Sequence, residues 1–189
     1  MSEIAETIQE SVEKASESKI NSSVAIVVSL TATFMAICNI KDGNLVQAMQ
    51  QAQAHNIDAW SYYQSKSTKA SIVANTIELL KIQHQPGTDS VLKKYETKLA
   101  TYEKEKEEIK KQAEGYAKEY DDINLFDDQF DMTDAFMSIA IALFGVTALT
   151  QKRWLFYFAC GLSGAGFILG ITAFFKISLH SDFISWILG

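Results

Sequence analysis

Three stretches of this chain carry no Asp, Glu, Lys or Arg: Ile20 to Ile40, Ala135 to Gln151, and Trp154 to Phe175. An α-helix rises about 1.5 Å per residue, so roughly 17–25 apolar residues cross the core of a bilayer. All three stretches fit that window, the second at its lower edge. The expected fold class is therefore an all-α integral membrane protein with three transmembrane helices. Most of the polar chain lies between the first and the second.

Composition narrows the function classes. A net charge of −6 over 189 residues, with no basic stripe interleaved with aromatics, argues against nucleic acid as a partner. It also argues against recruitment to anionic lipid through a polybasic patch. Cys38 and Cys160 both fall inside apolar stretches, so they suggest buried small side chains rather than a disulfide framework or metal site. The N-terminus is acidic and the first apolar run exceeds a signal-peptide core, so that run is expected to persist as an uncleaved anchor.

The segment from Lys41 to Asp134 has one internal organisation. Its only proline lies in the run His84-Gln85-Pro86-Gly87-Thr88-Asp89, which is turn chemistry followed by a choice of helix N-caps. Before this turn a 4-3 spacing reads Leu45, Met49, Ala52, Asn56, Ala59, Tyr63, Lys66, Ala70, Val73, Ile77, Leu80. After it the spacing reads Leu92, Tyr95, Leu99, Tyr102, Lys106, Ile109, Ala113, Tyr116, Tyr120, Ile123. Alternating steps of three and four are the seam of a coiled coil. Lys104, Glu105, Glu107 and Glu108 crowd the flanking positions, as an exposed helix face requires. The expectation is a long antiparallel coiled-coil hairpin between the first and second transmembrane helices, each arm reaching about 50–60 Å. A compact soluble bundle is the alternative. Asn56, Lys66 and Lys106 interrupt the seam, and they either fix register as buried polar groups or face solvent.

The expected order is thus an acidic amphipathic helix over 1–19, transmembrane helix 1 over 20–41, and a hairpin over 42–134 with its tip at 85–88. Transmembrane helices 2 and 3 follow over 135–151 and 154–175, and an interfacial tail over 176–189. In the first of these, Ile4, Ile8, Val12 and Ala15 share a helix face; in the last, Trp186 anchors an apolar run. Lys14, Lys19, Lys152 and Arg153 fall on one side of the membrane against Lys41, Lys118 and Lys176 on the other. That balance gives a cytoplasmic N-terminus and an extracytoplasmic hairpin.

Candidate chemistry is sparse. Gly166-x-x-x-Gly170 lies in a small-residue stripe of Ala159, Ser163, Gly166, Gly170 and Ala173, of which Ser163, Gly166, Gly170 and Ala173 are a candidate oligomer face. Packing within the chain is the alternative. Asp121, Asp122, Asp127, Asp128, Asp131 and Asp134 offer oxygens for a hard cation but lack an EF-hand pattern. They equally suit the positive end of the following helix. His55 and Asp58 are three apart, yet His84 and His180 are remote, too few for a zinc site. No acid or base sits inside a charge-free stretch, which lowers an ion-coupled transporter. No nucleophile-elbow, phosphate-loop or zinc-protease motif occurs, so no enzyme, cofactor or metal is expected.

The run from His55 to Ser67, HNIDAWSYYQSKS, is similar to the signature of a bacterial membrane family catalogued as domain of unknown function 4337. The layout of one span, a charged helical region and a closing pair of spans resembles it too, over nearly the whole chain. The resemblance implies a small bacterial inner-membrane protein and brings no activity, cofactor or catalytic residue. It directs attention to His55, Asp58, Trp60, Tyr63, Gln64 and Lys66 as a candidate interaction surface. The functional expectation is a non-enzymatic, self-associating membrane scaffold or adaptor that presents its hairpin to a protein partner. The alternative is an oligomeric pore or transport accessory, with Thr33 and Asn39 on the solute path.

Overall fold

The structure, a computed structural model, describes residues 2–83 and 87–177, without the side chains of 2–18. It contains three helices, α1 (Ser2–Gln83), α2 (Asp89–Thr150) and α3 (Arg153–Phe174), and no strand among the described residues. Each helix holds one of the charge-free stretches and is long and apolar enough to cross a membrane. Helix α1 runs unbroken from Ser2 through the first apolar segment. It also runs through Gly43; one glycine costs a helix about 1 kcal/mol, which the surrounding turns absorb. The amphipathic face of 1–18, the tip residues His84 to Pro86 and the tail from residue 178 lie outside the described side chains.

Gly87, beside that tip, has φ +91°, in the left-handed region that favours glycine. Helix α2 starts two residues later, where Leu92 N donates to the Thr88 carbonyl at 2.8 Å. At its far end only Gln151 and Lys152 separate α2 from α3. Gln151 takes φ 56°, and its Nε2 donates to Asn21 Oδ1 at 2.8 Å, tying this connection to α1.

The chain divides into two compact units, Met1–Val46 with Asn124–Gly189, and Gln47–Ile123. In the first, Val24, Ala140, Phe144 and Ala159 bury one another, flanked by Ile20, Val27, Leu143 and Phe156. A second cluster joins Cys38, Phe130 and Ala173 with Phe34 and Leu45. The buried hydroxyls of Thr31 and Ser163 share a hydrogen bond of 2.8 Å between α1 and α3. Both described cysteines are free. The outward faces of this unit are apolar as well: Leu30, Ile40, Leu149, Trp154 and Ile168 are all exposed.

The second unit is the hairpin. Asn56 pairs with Ala113, Lys66 with Glu105 and Lys81 with Glu96, so partners fall in number on α2 as they rise on α1 and the arms are antiparallel. Every seam position from Met49 to Leu80 and from Leu92 to Ile123 is buried or half-buried. The 4-3 spacing therefore marks the faces the two arms turn toward each other.

Candidate functional site

The run from His55 to Ser67 sits on α1 within the hairpin, and helical geometry divides it between two faces. Asn56, Ala59, Tyr63 and Lys66 turn toward α2, while Ile57, Asp58, Trp60, Tyr62 and Gln64 stay exposed. On the inner face Asn56 Nδ2 donates to the Ala113 carbonyl at 2.7 Å. Lys66 Nζ donates to Glu105 Oε2 at 2.6 Å and lies 5.3 Å and 5.2 Å from the ring centres of Tyr62 and Tyr102. The hydrogen bond to Glu105 leads in holding the Lys66 ammonium above its ordinary pKa. Lys106 is held up likewise, by Glu103 first, and lies 5.8 Å from the Tyr63 ring. Of the interruptions in the seam, Asn56 and Lys66 thus have polar partners on the other arm, whereas Lys106 pairs within its own helix. Asn56→Ala removes a half-buried cross-arm bond and should cost about 1 kcal/mol, measurable as a lowered unfolding midpoint of the full chain.

His55 and Asp58 do not form the unit their spacing suggested. The His55 ring packs 5.2 Å from Tyr116 on α2, and Asp58 points into solvent. Trp60 meets Tyr63 edge-on at 5.5 Å, leaving its own outer surface exposed. Along α1 the exposed residues Ile57, Trp60, Gln64, Ile72, Leu79 and Ile82 recur near the 3.6-residue period, which puts them on one outward face.

The small-residue stripe points into its own chain. Ser163, Gly166, Gly170 and Ala173 are all buried. A Cβ on Gly166 would stand 2.9 Å from Met137 Cγ, and one on Gly170 2.7 Å from Phe34 Cε1 and 3.1 Å from Thr133 Cγ2. At Gly166 and Gly170 the missing side chain lets α1 and α2 approach α3 within one chain, which is the packing named above as the alternative to an oligomer face.

The acidic run also resolves into parts. Asp121 and Asp122 are exposed in the hairpin unit, and Asp128 accepts from Asn124 Nδ2 at 3.3 Å. In the apolar unit Asp127 faces Asp42 of α1. Asp42 Oδ1, Asp127 Oδ1 and Asp134 Oδ1 are buried and receive no donor. A carboxylate facing another negative charge is held more readily in its protonated form. Burial first, then the Asp42 charge and a hydrogen bond to Asp42, push the Asp127 carboxyl up to about 7; Asp131 is raised too, again chiefly by burial. Among the described residues no three His, Cys, Asp or Glu side chains are grouped to hold a metal ion.

The described chain thus carries three apolar helical segments and a helical hairpin, with the His55–Ser67 run on the hairpin's outgoing arm. The model of the Domain of unknown function DUF4337 matches residues 20–176, from the start of the first apolar stretch to just past α3. The chain belongs to this family. No curated protein and no solved structure matches it.

Two features of this DUF4337 member were not read from its sequence. Asp42 lies one residue past Lys41, and its carboxyl partner is on another helix, so no local pattern announces the pair. The i, i+4, i+7 spacing of Asp127, Asp131 and Asp134 was available and does place three acids on one face. Glu105, which satisfies Lys66, was hidden within a run of surface charge.

Proposed function

We propose that the chain is a membrane-inserted scaffold that self-associates or takes a helical protein partner on the outer face of its hairpin. One observation carries this reading: Ile57, Trp60, Ile72, Leu79 and Ile82 form an exposed apolar line along α1. An apolar helix face is the surface an amphipathic helix docks on, read at i, i+3, i+4 and i+7. Trp60 supplies an aromatic anchor of the kind that dominates such contacts. Insertion of the three apolar segments into a bilayer follows from their outward apolar faces, since hydrocarbon is the one solvent in which Leu30, Leu149 and Ile168 cost nothing exposed. An inner membrane, with the N-terminus and the Gln151-Lys152 connection cytoplasmic, accords with the placing of Lys19, Lys152 and Arg153.

The test is a photo-crosslinking amino acid at Trp60, with the same residue at Glu107 as the control on an exposed position outside this face. The expected result is a discrete covalent adduct from Trp60, either to a second copy or to one protein, and none from Glu107. Adducts of equal yield from both positions, or from neither, would discard the outer face as a docking surface.

A further inference from the structure

A cleft of about 240 Å³ opens between α1 and α3 in the apolar unit, lined by Lys19, Ile20, Ser23, Arg153, Phe156 and Tyr157. Lys19 is the last charge before the first charge-free stretch and Arg153 the last before the third, so the cleft lies at the boundary between polar and apolar chain. Its chemistry is that of an anion site. An ammonium, a guanidinium and a phenol converge there, and a guanidinium matches phosphate oxygens with paired N–H groups. Ser23 is already committed, donating from Oγ to the Lys19 carbonyl at 3.0 Å, so it shapes the wall. Helix α3 begins at Arg153, and Lys152 at its N-cap makes no side-chain hydrogen bond to the first turn. The positive end of the helix dipole adds to the attraction for an anion.

Size and surroundings select the kind of anion. The volume falls below the roughly 300–1,000 Å³ of sites for drug-sized ligands, which suits one phosphodiester rather than a whole metabolite. Trp154, Tyr157 and Phe158 are 65 %, 70 % and 56 % exposed at this same end of α3. Aromatics so placed sit at the headgroup level of a bilayer. The chain's net charge of −6 repels free anions in bulk water, whereas a headgroup is delivered laterally.

We propose that this cleft binds the headgroup of an anionic phospholipid, its phosphate held by Lys19 and Arg153 over the first turn of α3. The assignment rests on the reading that the three apolar segments lie in a bilayer. It differs from recruitment by a polybasic surface, because two cations in a cleft select one lipid rather than a charged leaflet.

The full chain is reconstituted in phosphatidylcholine vesicles, and its relative affinity for spin-labelled phosphatidylglycerol over spin-labelled phosphatidylcholine is measured. Lys19→Gln and Arg153→Gln should each lower that preference about fivefold, and the pair about thirtyfold. Lys176→Gln, the same charge change beyond the opposite end of α3, should leave it unchanged. A protein that enters vesicles without any preference overturns the site alone, as does an equal loss in Lys176→Gln. Abolition of the preference by inorganic phosphate would assign the cleft to a free anion and overturn the lipid. A protein that never enters phosphatidylcholine vesicles overturns the membrane reading itself.

Discussion

Gly170→Leu should destabilise the apolar three-helix unit by about 2 kcal/mol, and Gly161→Leu, on the same helix, should not. The difference lies in what each new side chain meets. A Cβ at Gly161 enters open space, whereas one at Gly170 lands 2.7 Å from Phe34 Cε1, 3.0 Å from Phe34 Cζ and 3.1 Å from Thr133 Cγ2. Phe34 cannot simply turn away. Its ring is stacked on Phe167 at 4.4 Å and tilted against Phe174 at 6.4 Å, and Thr133 is fully buried. Overpacking of this kind costs about 3 kcal/mol at the upper end of its usual range. Leucine returns about 1 kcal/mol because glycine is the poorer helix former. The loss therefore wins at position 170, and the gain alone operates at 161. Unfolding of the detergent-solubilised full chain in a denaturant series reads both. Unchanged unfolding of Gly170→Leu with a dissociated oligomer would return the stripe to the interface between copies.

That stripe marks where legibility in the sequence ends. The charge-free stretches announced one apolar segment in each of the three helices, because a run without charge is a local property of the chain. The seam was legible for the same reason: 4-3 spacing selects a face, and Met49, Ala52, Val73, Ile109 and Ala113 are buried on it. Which surface a face meets is a different matter. Gly166 and Gly170 announce close approach of two backbones without saying whose, and here the answer is Phe34, Thr133 and Met137 of the same chain. Lys66 looked like a flaw until Glu105 stood opposite it on the other arm. The limit is the same for the His55–Ser67 run, whose resemblance to its family located a segment but could not separate its inward residues from its outward ones. Trp60 and Tyr63 are three apart, yet one is exposed and the other is half-buried at the seam.

The carboxyl pair gives the other large effect, and its sign is fixed by which state holds the proton. Asp127 titrates near 3.8 in an unfolded chain and is pushed up to about 7 in the fold, by burial first and by Asp42 next. Between those values the folded state binds the extra proton, so rising pH favours unfolding until the carboxyl has titrated in both states. Below about pH 4 the group contributes no penalty; above about pH 7 the penalty is complete. Water around a half-buried carboxyl screens the interaction, which leaves about 2 kcal/mol at the plateau. Asp127→Asn removes the charge while keeping the shape, so it should gain that amount at pH 8 and almost nothing at pH 4. Asp42→Asn should reproduce a smaller part of the gain, since it removes the facing charge but leaves the burial. The double substitution should then add little to Asp127→Asn, because the Asp42 charge acts here through Asp127. Thermal unfolding of the four proteins at the two pH values separates this from a simple packing effect, which would shift both by the same amount. A gain independent of pH, or none at pH 8, would show that the Asp127 carboxyl is not held protonated in the folded chain.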